Sequence, residues 1–350
     1  MHTAKGKSCK TIGELKGETI PFRPDMLTLT VREPLGVIGA IIPWNVPMTL
    51  MALKIAPAMV AGNTVVVKSA EEAPFAVLRA CQIMNQILPP GLLNILSGMG
   101  PECGGPLVAH KDIRKVTFTR SVETGKIVYR TAAEKLIPVT LELGGKSPMI
   151  IMDDADLGKA VDGAVAGMRF TRQGQSCTAA SRILAHEAIH DTFVERLRVR
   201  VDAMKMGDPL DETTDIGTII SPQQFDKVTD YIRIGESTPG MHGIACSKLP
   251  DDDRLKDGLF VRPVIFVGAT NDSRLAREEI FGPVTCVIKF KCPRWCTAPG
   301  SRLRLSQPEP RRDIEPQLRR RKEFRPRQRG EPGSDAGTLH AKKAFIVNMQ

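Results

Sequence analysis

A chain of 350 residues that is 42% hydrophobic is long enough to bury two domain cores and too apolar to be disordered throughout. Its formal net charge is +10, but residues 291–350 alone hold 15 Lys/Arg against 6 Asp/Glu. The body is therefore nearly neutral, and its charge gives no reason to expect nucleic-acid binding.

Eight cysteines are scattered from Cys9 to Cys296 with no CxxC pair, which excludes a compact disulfide framework. Cys292 and Cys296 have no second pair to complete a zinc site, and no metal site is expected. The N-terminus lacks the apolar core of a signal peptide and no run reaches membrane-spanning length, so a soluble, cytoplasmic protein is expected.

In chain order, residues 1–25 read as an irregular polar lead-in. The alternation of Leu27–Val31 predicts an exposed strand, and the apolar run 36–43 a buried parallel one, ended by Pro43 and Pro47. A helix over 48–60, a strand over 63–68, a helix over 74–88 and a strand over 92–96 follow. Residues 116–119 predict another strand, and 121–135 a helix. Strand and helix alternating at this pace predict a Rossmann-like α/β domain with a parallel sheet, which binds its ligand beyond the carboxyl ends of the strands. A second α/β section follows, with strands over 148–152, 182–185 and 264–267 and a last strand ending at Phe290. Its helices are expected over 156–170, 187–204 and 223–235.

Three divisions result: residues 1–145, residues 146–290, and a tail over 291–350. The tail is basic, Arg/Pro-rich over 291–333 and expected to be disordered.

Within this frame the stretch 140–181 holds the most chemistry. Glu142 precedes the pair Gly144–Gly145, and Cys177 lies in the small, polar run Gly174–Ala180. A nucleophilic cysteine needs room around its sulfur and a base within reach. Five segments occur in one order: Pro43–Pro47, Val67–Glu71, Leu141–Pro148, Gly174–Cys177 and Glu279–Pro283. Together these resemble the NAD(P)-dependent aldehyde dehydrogenase superfamily from about Gly13 to Phe290. The phrasing looks like its betaine- or amino-aldehyde branch.

The resemblance implies a role for each matched residue. Cys177 would add to the aldehyde, Asn45 and the Cys177 amide would hold the oxyanion, and Glu142 would activate the hydrolytic water. Lys54 would relay protons. Lys68 and Glu71 would contact the adenosine ribose, Glu71 favouring NAD over NADP because a carboxylate repels a 2′-phosphate. Glu279 and Phe281 would hold the nicotinamide ribose and ring, with Trp44, Ser121, Gly125 and Gly144 completing the cofactor contacts. The resemblance also implies a small aldehyde substrate and a homo-oligomer. Arg172, Gln173, Ser176 and Thr178 are expected at a polar tunnel mouth.

The pattern also departs. Where the family has a glycine in its phosphate-binding turn, this chain has Arg120, followed by Ser121 and Gly125. Arg120 is expected to strain that turn or crowd the cleft; the other reading aims its fork at a phosphate. Sections at both ends of the family pattern are not recognisable, which predicts a truncated, unstable or inactive chain.

Three rival readings stand beside this one. The basic tail would make an electrostatic interaction protein. A thioester passed to coenzyme A would make an acylating enzyme, against which Glu142 speaks. His186–His190 fits HExxH but is expected to straddle a strand–helix junction.

Overall fold

The computed structural model describes residues 15–291 and 340–348. They fall into two compact units, one within Met1–Leu143 and Arg321–Gln350, the other within Gly144–Arg320.

The first unit opens with β1 (Glu18–Arg23) and β2 (Met26–Pro34), an antiparallel hairpin. The expected lead-in thus contains a strand. Its six residues are all exposed, so no buried period betrays it in the sequence. Five parallel strands then form the main sheet: β3 (Val37–Ile41), β4 (Thr64–Lys68), β5 (Leu93–Leu96), β6 (Ile113–Arg120) and β7 (Val139–Leu143). Their order is β5-β4-β3-β6-β7.

Helices α1 (Pro47–Val60), α2 (Phe75–Met84), the short α3 (Gly105–Ala109) and α4 (Val122–Ala133) supply the crossovers. Gly100–Gly104 is a single π-helical turn leading into α3. Apolar side chains cover both faces of the sheet. Ile38, Ala40, Val65 and Val67 pack with α1 and α2, while Val116, Phe118, Val128 and Ala132 form a second core with α4. This is why the strands read as continuous apolar runs.

Asn63 fixes the entry to β3. Fully buried, it accepts the N–H groups of Leu35 and Gly36 at 2.7 and 3.0 Å and donates to the Ala58 carbonyl at 3.1 Å. Gly36 turns there at φ +117°, a conformation that side chains disfavour.

The second unit holds β8 (Pro148–Ile151), β9 (Arg182–His186), β10 (His242–Ala245), β11 (Val264–Val267) and β12 (Val284–Phe290). Their order is β10-β11-β12-β9-β8, parallel except for β10 at one edge. Its helices are α5 (Leu157–Met168), α6 (His190–Asp202), α7 (Pro222–Ser237) and the single turn α8 (Arg274–Arg277). One core, with Met168, Phe170, Ile183, Phe193, Leu197 and Val287, lies where α5 and α6 meet the sheet.

The disorder expected of the tail falls largely on residues outside those described. Residues 340–348 depart from it: His340–Asn348 forms β13, antiparallel to β2 from His340↔Pro34 to Asn348↔Met26. The order β1-β2-β13 makes a third, small sheet belonging to the first unit. The charge-based binding reading of the tail rests mainly on residues outside the description.

Among the described residues no helix is long and apolar enough to cross a membrane, and no cluster of three metal-ligating side chains occurs. His186 ends β9 and His190 begins α6, so the HExxH pattern spans two elements rather than one helical face.

Candidate active site

In the first unit the chain runs from β3 through β4 to β5 on one side, then returns to place β6 and β7 on the other. The reversal leaves a crevice at the carboxyl ends of β3 and β6, where open α/β sheets take ligands. Most of the sequence-predicted residues of this unit end up along that edge. Trp44 and Asn45 lie in the bend after β3, and Lys68 is the last residue of β4. Ser121 caps α4 after β6, and Glu142 is the penultimate residue of β7, exposed.

Lys54 sits elsewhere. It is buried on α1, and its Nζ donates to Thr117 Oγ1 in the middle of β6 at 2.9 Å. Gly125 lies in the first turns of α4, where a β-carbon would meet Leu143 Cδ2 at 2.6 Å; its bareness lets the helix close onto β7.

The carboxyl edge also holds a four-residue ion cluster. Lys68 Nζ donates to Glu71 Oε2 at 2.6 Å. Arg120 Nη1 reaches Glu71 Oε1 at 2.9 Å, and its Nη2 reaches Glu72 Oε1 at 2.7 Å. Burial alone would raise the Glu71 carboxyl, but the bonds from Lys68 and Arg120 overcome it and hold the group at about 2. Arg120 is absent from the residues with positive φ, so this corner does not demand glycine and the expected backbone strain is not present. Its side chain extends across the end of β3 to the loop after β4.

The edge fits a dinucleotide. The twelve-residue α4 points its N-terminal, positive dipole end at this edge, with Ser121 Oγ accepting the Thr124 N–H at 3.3 Å, while Lys68 and Glu71 offer a donor and an acceptor suited to a sugar diol. Arg120 is the one addition.

In the second unit Cys177 lies in a turn that no helix continues, after a single 3-10 turn over Phe170–Arg172. It is in no disulfide and partly exposed. The backbone before it is unusual: Arg169, Gln173 and Gly174 all have positive φ, at +60°, +52° and +64°. Such runs persist where neighbours fix them. Gln175 does so here, taking the Ile220 N–H on Oε1 at 3.1 Å and donating from Nε2 to the Arg172 carbonyl at 3.4 Å. Gly174 packs its bare Cα against the Gly282 carbonyl, which leaves no room for a side chain. Arg172 and Thr178 are exposed, as a polar mouth requires, but Gln173 is buried and belongs to the scaffold of the turn.

The Glu279–Pro283 segment is held just as closely. Gly145 donates its N–H to Glu279 Oε1 at 3.1 Å, and the Glu279 carboxylate lies so near Gly144 that a β-carbon there would collide with it. Phe281 adopts φ +59°, and Gln224 Nε2 donates to the carbonyls of Ile280 and Phe281 at 3.1 and 3.0 Å.

Behind this segment lies a residue that the sequence reading passed over. Lys146 Nζ is buried with no hydrogen-bond partner among the described residues, and burial pulls its ammonium down to about 8. Arg182 pushes the same way, while Cys286 and Glu279 oppose. Its position inside the Leu141–Pro148 motif was the available signal. Gln224 gave none, because an amide on an amphipathic helix looks solvated.

The fold and these sites define a two-unit α/β protein with a nucleotide-type sheet edge in one unit and a glycine-turned cysteine in the other. The chain belongs to the aldehyde dehydrogenase family, whose model matches residues 6–294.

Among its relatives, the hydroxyisobutyraldehyde dehydrogenase of Mycolicibacterium austroafricanum is 43% identical over 277 residues, 78% of this chain and 54% of that protein. Human aldehyde dehydrogenase 1A1 is 43% identical over 280 residues, covering 79% and 55%. The crystal structure of Staphylococcus aureus betaine aldehyde dehydrogenase in complex with NAD+ matches with a TM-score of 0.79 and 37% identity, over 83% of this chain and 58% of that one. The NAD+ complex of the Bacillus cereus aldehyde dehydrogenase matches at 0.78 and 37%, with the same coverage. The chain spans about half the length of the curated relatives it matches.

Proposed function

We propose that this chain carries machinery for oxidising an aldehyde to a carboxylic acid, with Cys177 as nucleophile and NAD+ as hydride acceptor. The supporting observation is the packing of the Cys177 turn on the Glu279–Pro283 segment, where Gly174 meets the Gly282 carbonyl. The first unit is the cofactor unit in this reading, and the second the catalytic one.

Cys177 Sγ attacks the aldehyde carbon, the carbonyl electron pair moves to oxygen, and a thiohemiacetal forms. The Asn45 amide and the Cys177 backbone N–H hold that oxyanion, each such donor contributing about 3 kcal/mol. NAD+, when bound, supplies the two-electron acceptor for the hydride on that carbon. Loss of the hydride leaves a thioester on Cys177. Glu142 takes a proton from water, the hydroxide adds to the thioester, and the C–S bond breaks to return the thiolate and release the acid. Lys54 relays protons, Lys68 and Glu71 take the adenosine ribose, and Glu279 with Phe281 takes the nicotinamide ribose and ring. Trp44, Ser121, Gly125 and Gly144 complete the cofactor contacts.

Substrates are small aldehydes, and both the betaine-aldehyde and hydroxyisobutyraldehyde relatives are consistent with that class. A cytoplasmic location is supported by the relatives, which include a cytosolic aldehyde dehydrogenase of Elephantulus edwardii. A homo-oligomer is supported by the exposed edge strand β1, with Phe22 63% exposed.

The test is NAD+ reduction with a panel of aldehydes, run on this chain and on Cys177→Ala. Turnover that disappears in the variant supports the reading. Turnover that survives it removes Cys177 from the mechanism.

A further inference from the structure

We propose that Arg120 sets the nucleotide selectivity of the sheet edge, so that a 2′-phosphorylated dinucleotide is accepted alongside the unphosphorylated one. This rests on the reading of that edge as a dinucleotide site.

A carboxylate at such a position favours a ribose diol in two ways: it accepts the hydroxyl hydrogens, and its charge repels a 2′-phosphate. Here the second effect is countered, while the first survives on the remaining lone pairs of the carboxylate. Each Glu71 oxygen already holds a cation, Lys68 on Oε2 at 2.6 Å and Arg120 on Oε1 at 2.9 Å. The second Arg120 nitrogen takes Glu72 Oε1 at 2.7 Å, and the other Glu72 oxygen is buried, out of a ligand's reach.

Lys68, Arg120, Glu71 and Glu72 sum to zero charge; without Arg120 the set would carry one net negative charge. Exposure points the same way. The Arg120 side chain is 32% exposed, against 19% for each glutamate and 3% for Lys68. A guanidinium has five N–H donors, and the carboxylates occupy two nitrogens of this one, so its open face still offers donors. An incoming ligand therefore meets guanidinium more than carboxylate, and an arginine beside the ribose site is what a 2′-phosphate requires.

The experiment measures Kd for NAD+ and for NADP+ by titration calorimetry on the full chain, and again on Arg120→Gly and on Arg120→Gln. The second variant removes the charge but keeps a polar side chain on a β-carbon, which controls for any loosening of the corner by glycine. In the unaltered chain the two affinities are expected to lie within about threefold of one another, and in both variants NADP+ weakens relative to NAD+ by about tenfold or more. Raising the salt weakens NADP+ more than NAD+ in the unaltered chain only.

An unchanged ratio in the variants overturns the proposal. So does equal tightening of both nucleotides, which would make Arg120 a plain obstruction. Binding of neither nucleotide to any of the three chains would overturn the underlying dinucleotide reading, and a normal NAD+ affinity with an unmoved ratio would overturn only the role of Arg120.

Discussion

Gly174 packs its Cα directly against the carbonyl of Gly282, at a left-handed φ of +64°. The cysteine turn and the Glu279–Pro283 segment thus share one contact that tolerates no β-carbon. Gly174→Ala is expected to destabilise the second unit by about 2–4 kcal/mol, from left-handed strain and a clash with fixed backbone. It should also cut aldehyde turnover more than tenfold. Urea unfolding and steady-state rates check this, and a variant with unaltered midpoint and rate would show that the contact is slack.

Glu71 makes the first unit acid-sensitive in a defined window. Its carboxyl sits at about 2 in the fold against an ordinary value of 4.5. The ion cluster contributes fully above pH 4.5, and its contribution disappears as pH falls towards 2. With the side chain partly exposed, the amount at stake is about 2–3 kcal/mol. Glu71→Gln should flatten that part of the stability–pH curve, measured by circular dichroism melts. A curve parallel to that of the unaltered chain would mean that other carboxylates govern the acid limb.

Lys146 penalises the fold at neutral pH instead of stabilising it. Burial holds its ammonium at about 8 against 10.5, so between those values the unfolded chain binds the extra proton. Stability contributed by this site therefore rises with pH from 8 to 10.5 and is lowest below 8. Lys146→Met should remove that rise and stabilise the chain at pH 7 by about 1–3 kcal/mol. Destabilisation at pH 7 would show that the ammonium is needed where it lies, beside Glu279.

Asn63 stitches the start of β3 to the end of α1 through three hydrogen bonds. Asn63→Ala removes the acceptor of two backbone N–H groups, on half-buried Leu35 and exposed Gly36, and empties a buried side-chain site, which should cost about 1–3 kcal/mol. Asn63→Asp, which retains the acceptor, should lose less of that if its charge is held by the same two N–H groups. Equal losses in both would assign the effect to the bond made to Ala58.

Much of this was legible in advance. The parallel strands could be read because both faces are buried, and the glycines around Cys177 because tight turns need them. β1 could not, since six exposed residues carry no burial period. Nor could the course of Arg120, because a single position says nothing about which carboxylates the topology brings within reach. Gln173 looked like a mouth residue by proximity to Cys177, yet a left-handed backbone turned it inward. For Arg120 the deciding partners, Glu71 and Glu72, lie 49 and 48 positions away in sequence.

The pairing of β13 with β2 has a consequence for how the chain is made. The second unit is synthesised between these two strands. At ribosomal speeds of 5–20 residues per second, β2 emerges on the order of 15–60 s before its partner. Throughout that interval its N–H and C=O groups on the β13 side form an open template for other nascent chains. The open edge of β2 during synthesis thus lasts for as long as the delay between these two strands, whatever the stability of the finished sheet.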